Sequence, residues 1–148
     1  LDGNRIIYHR SVNLGLAVAL DWGLIVPVIK GADELNLLGL TRRANDLAER
    51  ARSKKLNFDE VQDGTFTITN PGVFGPMFGL PVINQPQVAI LGAGAVEKRP
   101  VVVDDMIAVR TRAYMSMSFD HRLVDGADAD HFMKRIKVGI EEFDETGL

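Results

Sequence analysis

One residue in this chain has the type and setting for proton-transfer chemistry, and a second carries a quieter signal. The first is His121, within Ser118-Phe-Asp-His-Arg-Leu-Val-Asp-Gly126. It lies between a strand-like run and a helix-like run, and histidine is the side chain whose proton moves most readily near neutral pH. A histidine held at a strand end over a cleft can serve as a general base. Asp125 and Gly126 can cap the helix that follows, and Asp125 can also anchor the loop by an ion pair, with Arg122 or a more distant arginine. The plainer reading is a polar loop residue at a strand–helix junction. The second residue is Thr69, which ends the alternating run Thr65-Phe-Thr-Ile-Thr69 and enters a Gly/Pro-rich loop. Its hydroxyl could face a cleft there, or it could be an ordinary strand threonine.

Other chemistries fit less well. His121 and His131 stand ten residues apart with Asp120, Asp125, Asp128 and Asp130 nearby, which is no zinc-ligand spacing. Acids clustered at a helix start suit the helix dipole, so no metal is expected. Ser116 and Ser118 precede His121, but no Gly-x-Ser-x-Gly elbow exists. The stretch Asn70-Pro-Gly-Val-Phe-Gly-Pro-Met-Phe-Gly79 lacks both the Lys-Ser/Thr ending of a phosphate loop and a Gly-x-Gly-x-x-Gly pattern. With no cysteine there is no disulfide, cysteine nucleophile or thiolate metal site. A formal charge of −3 with mixed signs argues against nucleic acid as the main partner. Residues 64–96 carry no charge, a run long enough to span a bilayer, but Pro71, Pro76, Pro81 and Pro86 break any single helix. The run reads as strand and loop buried in a domain or, preferably, against another subunit.

The elements that position these residues follow from periodicity. Arg5 to His9 alternates weakly and could be a strand. Asn13–Leu20 and Leu24–Ile29 flank Asp21-Trp22-Gly23 and predict a β-hairpin, with Pro27 marking an edge or an irregular strand end. Asp33 is the expected cap of a helix running to about Lys55, its apolar stripe formed by Leu37, Leu40, Ala44, Leu47, Ala48 and Ala51. Arg42, Arg43, Glu49, Arg50 and Arg52 fall on its solvated side. Strands are expected at Thr65–Thr69, Gln87–Leu91, Pro100–Asp104 and Met106–Met117, the last two joined at Asp104-Asp105. A terminal amphipathic helix covers Ala127–Phe143. The expected class is α+β, a mixed and mostly antiparallel sheet with packed helices. At 148 residues, beginning at Leu1 in mid-pattern, the chain is expected to be part of a longer protein.

Taken in order, Gly23-Leu-Ile-Val-Pro-Val28, Gly64-Thr-Phe-Thr-Ile-Thr-Asn70, Gly72-Val-Phe-Gly75, Pro81-Val-Ile-Asn84, Ala89-Ile-Leu-Gly92 and Asp120-His-Arg-Leu-Val-Asp-Gly126 carry a resemblance. Together they resemble the catalytic domain of dihydrolipoamide acyltransferases, the core subunits of 2-oxo acid dehydrogenase complexes. The resemblance implies a chloramphenicol acetyltransferase-like fold of which residues 1–148 form the C-terminal two-thirds. The lipoyl and peripheral-subunit-binding domains fall outside the matching segments. His121 matches the family's base, which takes the proton of a dihydrolipoamide or coenzyme A thiol, and the thiolate attacks the acyl thioester. Thr69 matches the hydroxyl that bonds the oxyanion, and Asp125 the aspartate that fixes the active-site loop through an upstream arginine. Asn70, Phe74 and Ser118 are expected to contact substrate.

The same resemblance implies no cofactor bound in this domain, with coenzyme A and lipoamide as substrates. It implies a homotrimer with the site at the subunit boundary, His121 meeting a neighbour's Thr69, and assembly into a 24-mer or 60-mer core. Decarboxylase and dihydrolipoamide dehydrogenase subunits are the implied partners, in the bacterial cytoplasm or the mitochondrial matrix. The Thr-Ile-Thr-Asn and Gly-Val-Phe-Gly segments favour succinyl as the acyl group, although Pro71 and Pro76 stand where Gly and Ser are expected. Lys98-Arg-Pro-Val and Met106-Ile-Ala-Val-Arg suit branched-chain members equally. A non-catalytic core subunit and a free-standing chloramphenicol acetyltransferase-like enzyme are the alternatives.

Overall fold

The computed structural model describes residues 5–144. The expected hairpin forms, and one antiparallel register runs through it. β1 (Leu14–Leu16) pairs with β4 (Val28–Ile29), and β2 (Val18–Leu20) with β3 (Gly23–Ile25), Leu14 facing Ile29 and Val18 facing Ile25. The break comes at Ala17 and Val26-Pro27. Proline has no N–H to give the ladder, so Leu16 donates to the Pro27 carbonyl (2.8 Å) while Ala17 donates to Ile68 (2.9 Å). The hairpin is thereby divided between a central sheet and an outer ribbon.

The central sheet has the order β4-β1-β5-β6-β9, with β5 at Phe66–Thr69, β6 at Ala89–Ala93 and β9 at Met115–Phe119. β5 lies parallel to both β1 and β6, whereas β9 is antiparallel to β6. A second ribbon joins β7 (Glu97–Val103) to β8 (Met106–Arg112), turning at Asp104-Asp105. Both aspartates have positive φ, 49° and 60°, as a two-residue primed turn demands. Among the described residues, four of the six strand pairings are antiparallel, and the two parallel ones flank β5.

Helix α1 (Leu37–Arg52) buries Leu47 and Ala51; Leu47 forms a core with Ile29 and Ala32, against which Leu40, Ala44, Leu14 and Leu16 pack. Full burial of a Leu or Ile side chain contributes about 2 kcal/mol, so Leu47 and Ile29 anchor this layer. Helix α2 (Gly126–Glu141) buries Ala129 and sets Phe132 edge-on to Phe66 of β5, ring centres 5.6 Å apart.

Several expectations are corrected. Arg5–His9 is no strand: Arg5 holds an isolated bridge and residues 6–9 have no regular structure. Asp33 does not cap α1. It lies in a short 3-10 turn (Ala32–Glu34) and accepts from the Val12 N–H (3.0 Å), while Asn36 caps the helix by accepting from Gly39 (2.8 Å). The expected strand Met106–Met117 breaks at Ala113-Tyr114, because β9 leaves the ribbon to pair with β6.

Arg50, expected on the solvated side of α1, instead clamps the helix to the 3-10 turn Phe58–Val61. Its guanidinium bonds Asp46 at 2.8 Å and Glu60 at 2.6 Å. Arg50, and then the Asn57 N–H, hold the Glu60 carboxyl down at about 2. A depressed carboxyl stabilises the fold above its unfolded pKa, and that contribution is lost as pH falls through the folded value. Between pH 4.5 and 2 the urea midpoint should therefore fall less steeply in Glu60→Gln than in the parent, and Glu60→Gln should be the less stable at pH 7. Parallel curves would remove this clamp from the account.

Candidate active site

His121 comes two residues after the end of β9 and rides on a tight turn tied down at Asp120. The Asp120 N–H donates to the Val88 carbonyl (2.8 Å), carrying the β6–β9 pairing one step past the strand. Its carbonyl accepts from Leu123 (2.9 Å) and Val124 (3.0 Å). Its carboxylate takes the Arg122 guanidinium, Nε at 2.9 Å and Nη2 at 2.6 Å, together with the Arg122 N–H. The Arg122 side chain, and then its N–H, hold the Asp120 carboxyl at about 2, so the pair stays charged at any pH where a thiol is activated. Arg122 thus pairs with Asp120 and not with Asp125.

Asp125 caps α2, its carboxylate accepting from Asp128 (2.9 Å). The turn is held at both ends and the imidazole between them is exposed. The ring lies 5.5 Å from Phe119, centre to centre, and borders a cavity of about 590 Å³ walled by Ile83, Gln85, Pro86, Gln87 and Phe119. Such a base can meet a proton donor entering from outside the chain.

Thr69 borders a different cavity, of about 480 Å³, with Leu24, Val26, Thr67, Pro81 and Asn84 among its walls. Ile83 lines both cavities. Thr65, just before β5, and Thr67 and Thr69 within it fall on one face, as period two requires. Thr65 exchanges bonds with the Asn13 backbone, Thr67 is wholly buried and Thr69 reaches the cavity. The loop beyond Thr69 is fixed by close backbone approach. A Cβ on Gly72 would lie 2.3 Å from the Gly94 carbonyl carbon, and one on Gly94 would lie 1.9 Å from the Met77 oxygen. Neither glycine can be replaced without moving that loop.

Within one chain, therefore, His121 and Thr69 face separate cavities. Asn70, Phe74 and Ser118 border neither. Phe74 is 75% exposed in the 3-10 turn Pro71–Phe74, Asn70 is exposed before it, and Ser118 is half-buried opposite Ile90. Ser116, passed over as a nucleophile, donates to the Gly79 carbonyl. Among the described residues no three His, Cys, Asp or Glu converge as a metal site, and no helix is long and apolar enough to cross a membrane. Sequence reasoning missed Gln87, whose carboxamide oxygen accepts from Thr67 (2.6 Å), and the turn-holding part of Asp120. The alternating threonines of β5 were the only available signal for the first.

The comparisons with known proteins bear on all of this. The family model described as 2-oxoacid dehydrogenases acyltransferase (catalytic domain) matches residues 1–148. The succinyltransferase component of a 2-oxoglutarate dehydrogenase complex from Bartonella vinsonii is 44% identical over 142 residues, 96% of this chain and 34% of that protein. The chain spans about a third of the length of the curated relatives it matches. A probable dihydrolipoamide acetyltransferase from Listeria monocytogenes superposes with a TM-score of 0.94 at 41% identity, covering 98% of this chain and 62% of that one. A dihydrolipoamide acetyltransferase from Azotobacter vinelandii, studied for a serine, a histidine and an asparagine in its catalytic mechanism, gives 0.86 at 42%, covering 90% and 55%. The cubic core of a pyruvate dehydrogenase multienzyme complex gives 0.85 at 41%, covering 90% and 55%. With the family model matched from end to end and the fold shared with these cores, the chain belongs to the 2-oxoacid dehydrogenase acyltransferases, as part of their catalytic domain.

Proposed function

We propose that this chain carries the chemistry of a dihydrolipoamide S-acyltransferase, moving an acyl group between S-acyl-dihydrolipoamide and coenzyme A. His121 takes the proton of the attacking thiol, whose ordinary pKa of about 8.5 leaves it mostly protonated at neutral pH. The thiolate attacks the acyl carbonyl, the Thr69 hydroxyl donates to the oxyanion, and collapse of the tetrahedral intermediate expels the other sulfur as a thiolate, which takes the proton back from His121. Asp125 holds the start of α2 and with it the far end of the histidine turn.

One observation carries this assignment. The serine, histidine and asparagine of the Azotobacter enzyme are spaced 52 and then 4 residues apart, and Thr69, His121 and Asp125 repeat that spacing. A threonine keeps the hydroxyl of the serine, and an aspartate keeps a side-chain oxygen where the asparagine has one. Coenzyme A and a lipoyl group enter as substrates, with no resident cofactor in the mechanism.

The site is completed between subunits of a trimer, His121 of one chain facing Thr69 of the next. Separate cavities within one chain support that reading. So does surface area: the chain exposes 10955 Å², against about 7500 Å² for a compact monomer of its mass. Phe74, Met77, Phe78, Leu80 and Val82 contribute to the excess, all from the uncharged run. Asn70 and Phe74, exposed at the mouth of that loop, contact substrate in the assembled site, with Ser118 behind the histidine. The trimers build a larger core, as in the cubic relative, and that core takes the decarboxylase and dihydrolipoamide dehydrogenase as partners, in the bacterial cytoplasm or mitochondrial matrix.

Within the full-length protein, His121→Ala should lower turnover at least about 10²-fold with the assembly unchanged in size. Thr69→Val should lower it by about 10²–10³-fold at nearly constant coenzyme A affinity, with Thr69→Ser largely active. Near-parental turnover in either variant would refute its assigned role. The acyl group is succinyl, the reading favoured by the 2-oxoglutarate-complex relatives. Among acetyl-, succinyl- and isobutyryl-dihydrolipoamide, succinyl should give the highest kcat/KM, and a higher value for either of the others would reassign the complex.

A further inference from the structure

One buried polar link lies between β5 and the histidine turn. Thr67, two residues before Thr69, has no exposed surface, and its hydroxyl donates to Gln87 Oε1 at 2.6 Å. A hydroxyl withdrawn from water needs such a partner. With its oxygen so engaged, the carboxamide of Gln87 keeps one orientation. Gly64 leaves the room for it, since a Cβ there would lie 2.6 Å from Gln87 Nε2. The Gln87 N–H donates to the Asn84 carbonyl (3.1 Å), which secures the backbone on the other side.

These contacts bridge the two cavities. Thr67 and Asn84 line the one that holds Thr69, whereas Gln87 lines the one that holds His121. The residue after Gln87 is Val88, whose carbonyl takes the Asp120 N–H, and Asp120 precedes His121. The path runs from β5 through one side-chain bond, one peptide and one backbone bond to the histidine turn.

We propose that Thr67 and Gln87 are positioning residues, whose hydrogen bond sets the place of the His121 half-site relative to the Thr69 half-site of the same chain. The inference rests on the split acyltransferase site proposed above. In a closed ring of identical chains each subunit supplies halves of two different sites. A shift between the halves within one chain therefore misaligns base and oxyanion donor at both boundaries. Neither residue touches the reacting atoms; both act through the backbone that carries Thr69 and His121.

The test uses the full-length protein in its native assembly. Gln87→Leu removes the acceptor and Gln87→Glu retains it; Thr67→Val removes the donor and Thr67→Ser retains it. Gln87→Leu and Thr67→Val should each lower kcat about tenfold, a modest share of what misplacement of reacting groups can cost. The KM for each substrate should stay within about twofold of the parent. Combined, the two losses should be no worse than either alone, since they break one bond. Gln87→Glu and Thr67→Ser should recover most of the turnover, and that rescue separates positioning from simple packing. If Gln87→Leu fails to assemble, Thr67→Val carries the same expectation. Parental kcat in the Leu and Val variants, or an equal loss in the Glu and Ser variants, would overturn the positioning role. His121→Ala measured alongside keeps the two ideas apart. An inactive His121→Ala with a normal Gln87→Leu overturns this inference alone, whereas an active His121→Ala overturns the acyltransferase site beneath it.

Discussion

The site depends on the way Asp120 is held. One residue extends the β6–β9 pairing through its N–H, closes the turn through its carbonyl and ties down Arg122 through its carboxylate. None of these bonds uses the imidazole. His121 is placed by its neighbours, and its imidazole stays exposed, as the proposed base requires. The ion pair itself is exposed and adds little to stability. Its effect is geometric, since it occupies with Arg122 a carboxylate that would otherwise stand unpaired beside the imidazole.

From that constraint the rest of the architecture makes sense. A central strand, β5, lies parallel to both neighbours and ends at Thr69, where two glycines let the following loop press against the end of β6. Its neighbour β6 pairs on its other side with β9, which ends at the histidine turn. His121 and Thr69 therefore hang from adjacent parts of one sheet but open into different cavities. A large exposed surface and an uncharged loop of exposed apolar residues are what the proposed split site calls for. The proposed oxyanion chemistry needs just such a fixed donor, because preorganised dipoles cost no reorganisation at the moment of reaction.

Much of this was legible in the sequence, and the exceptions have physical causes. The hairpin register, the Asp104-Asp105 turn, the Asp125 cap and the two helices follow from local chemistry. Asp33 and Asn36 are equally good caps by type. The choice between them was made by the Val12 N–H, which engages Asp33 from 21 residues away. The run from Met106 to Met117 contains no Gly or Pro, and nothing local signals that it changes sheets at Ala113-Tyr114. Arg50 looked like a solvated cation because Glu60 reaches it from outside the helix. The bond between Thr67 and Gln87 spans 20 residues of sequence, and a single alternating strand gives no hint of its partner. Local chemistry was readable, and pairings made in three dimensions were not.

The division of the site between subunits is the central claim, and mixing two inactive proteins tests it most directly. Full-length His121→Ala and Thr69→Val chains, co-assembled in equal amounts, should regain on the order of a quarter of parental turnover. Random arrangement in a symmetric ring puts an intact histidine beside an intact threonine at about that share of boundaries. If each chain instead held a whole site, every site in the mixture would carry a lesion. Turnover would then stay at the level of the separate variants, and the split site would be wrong.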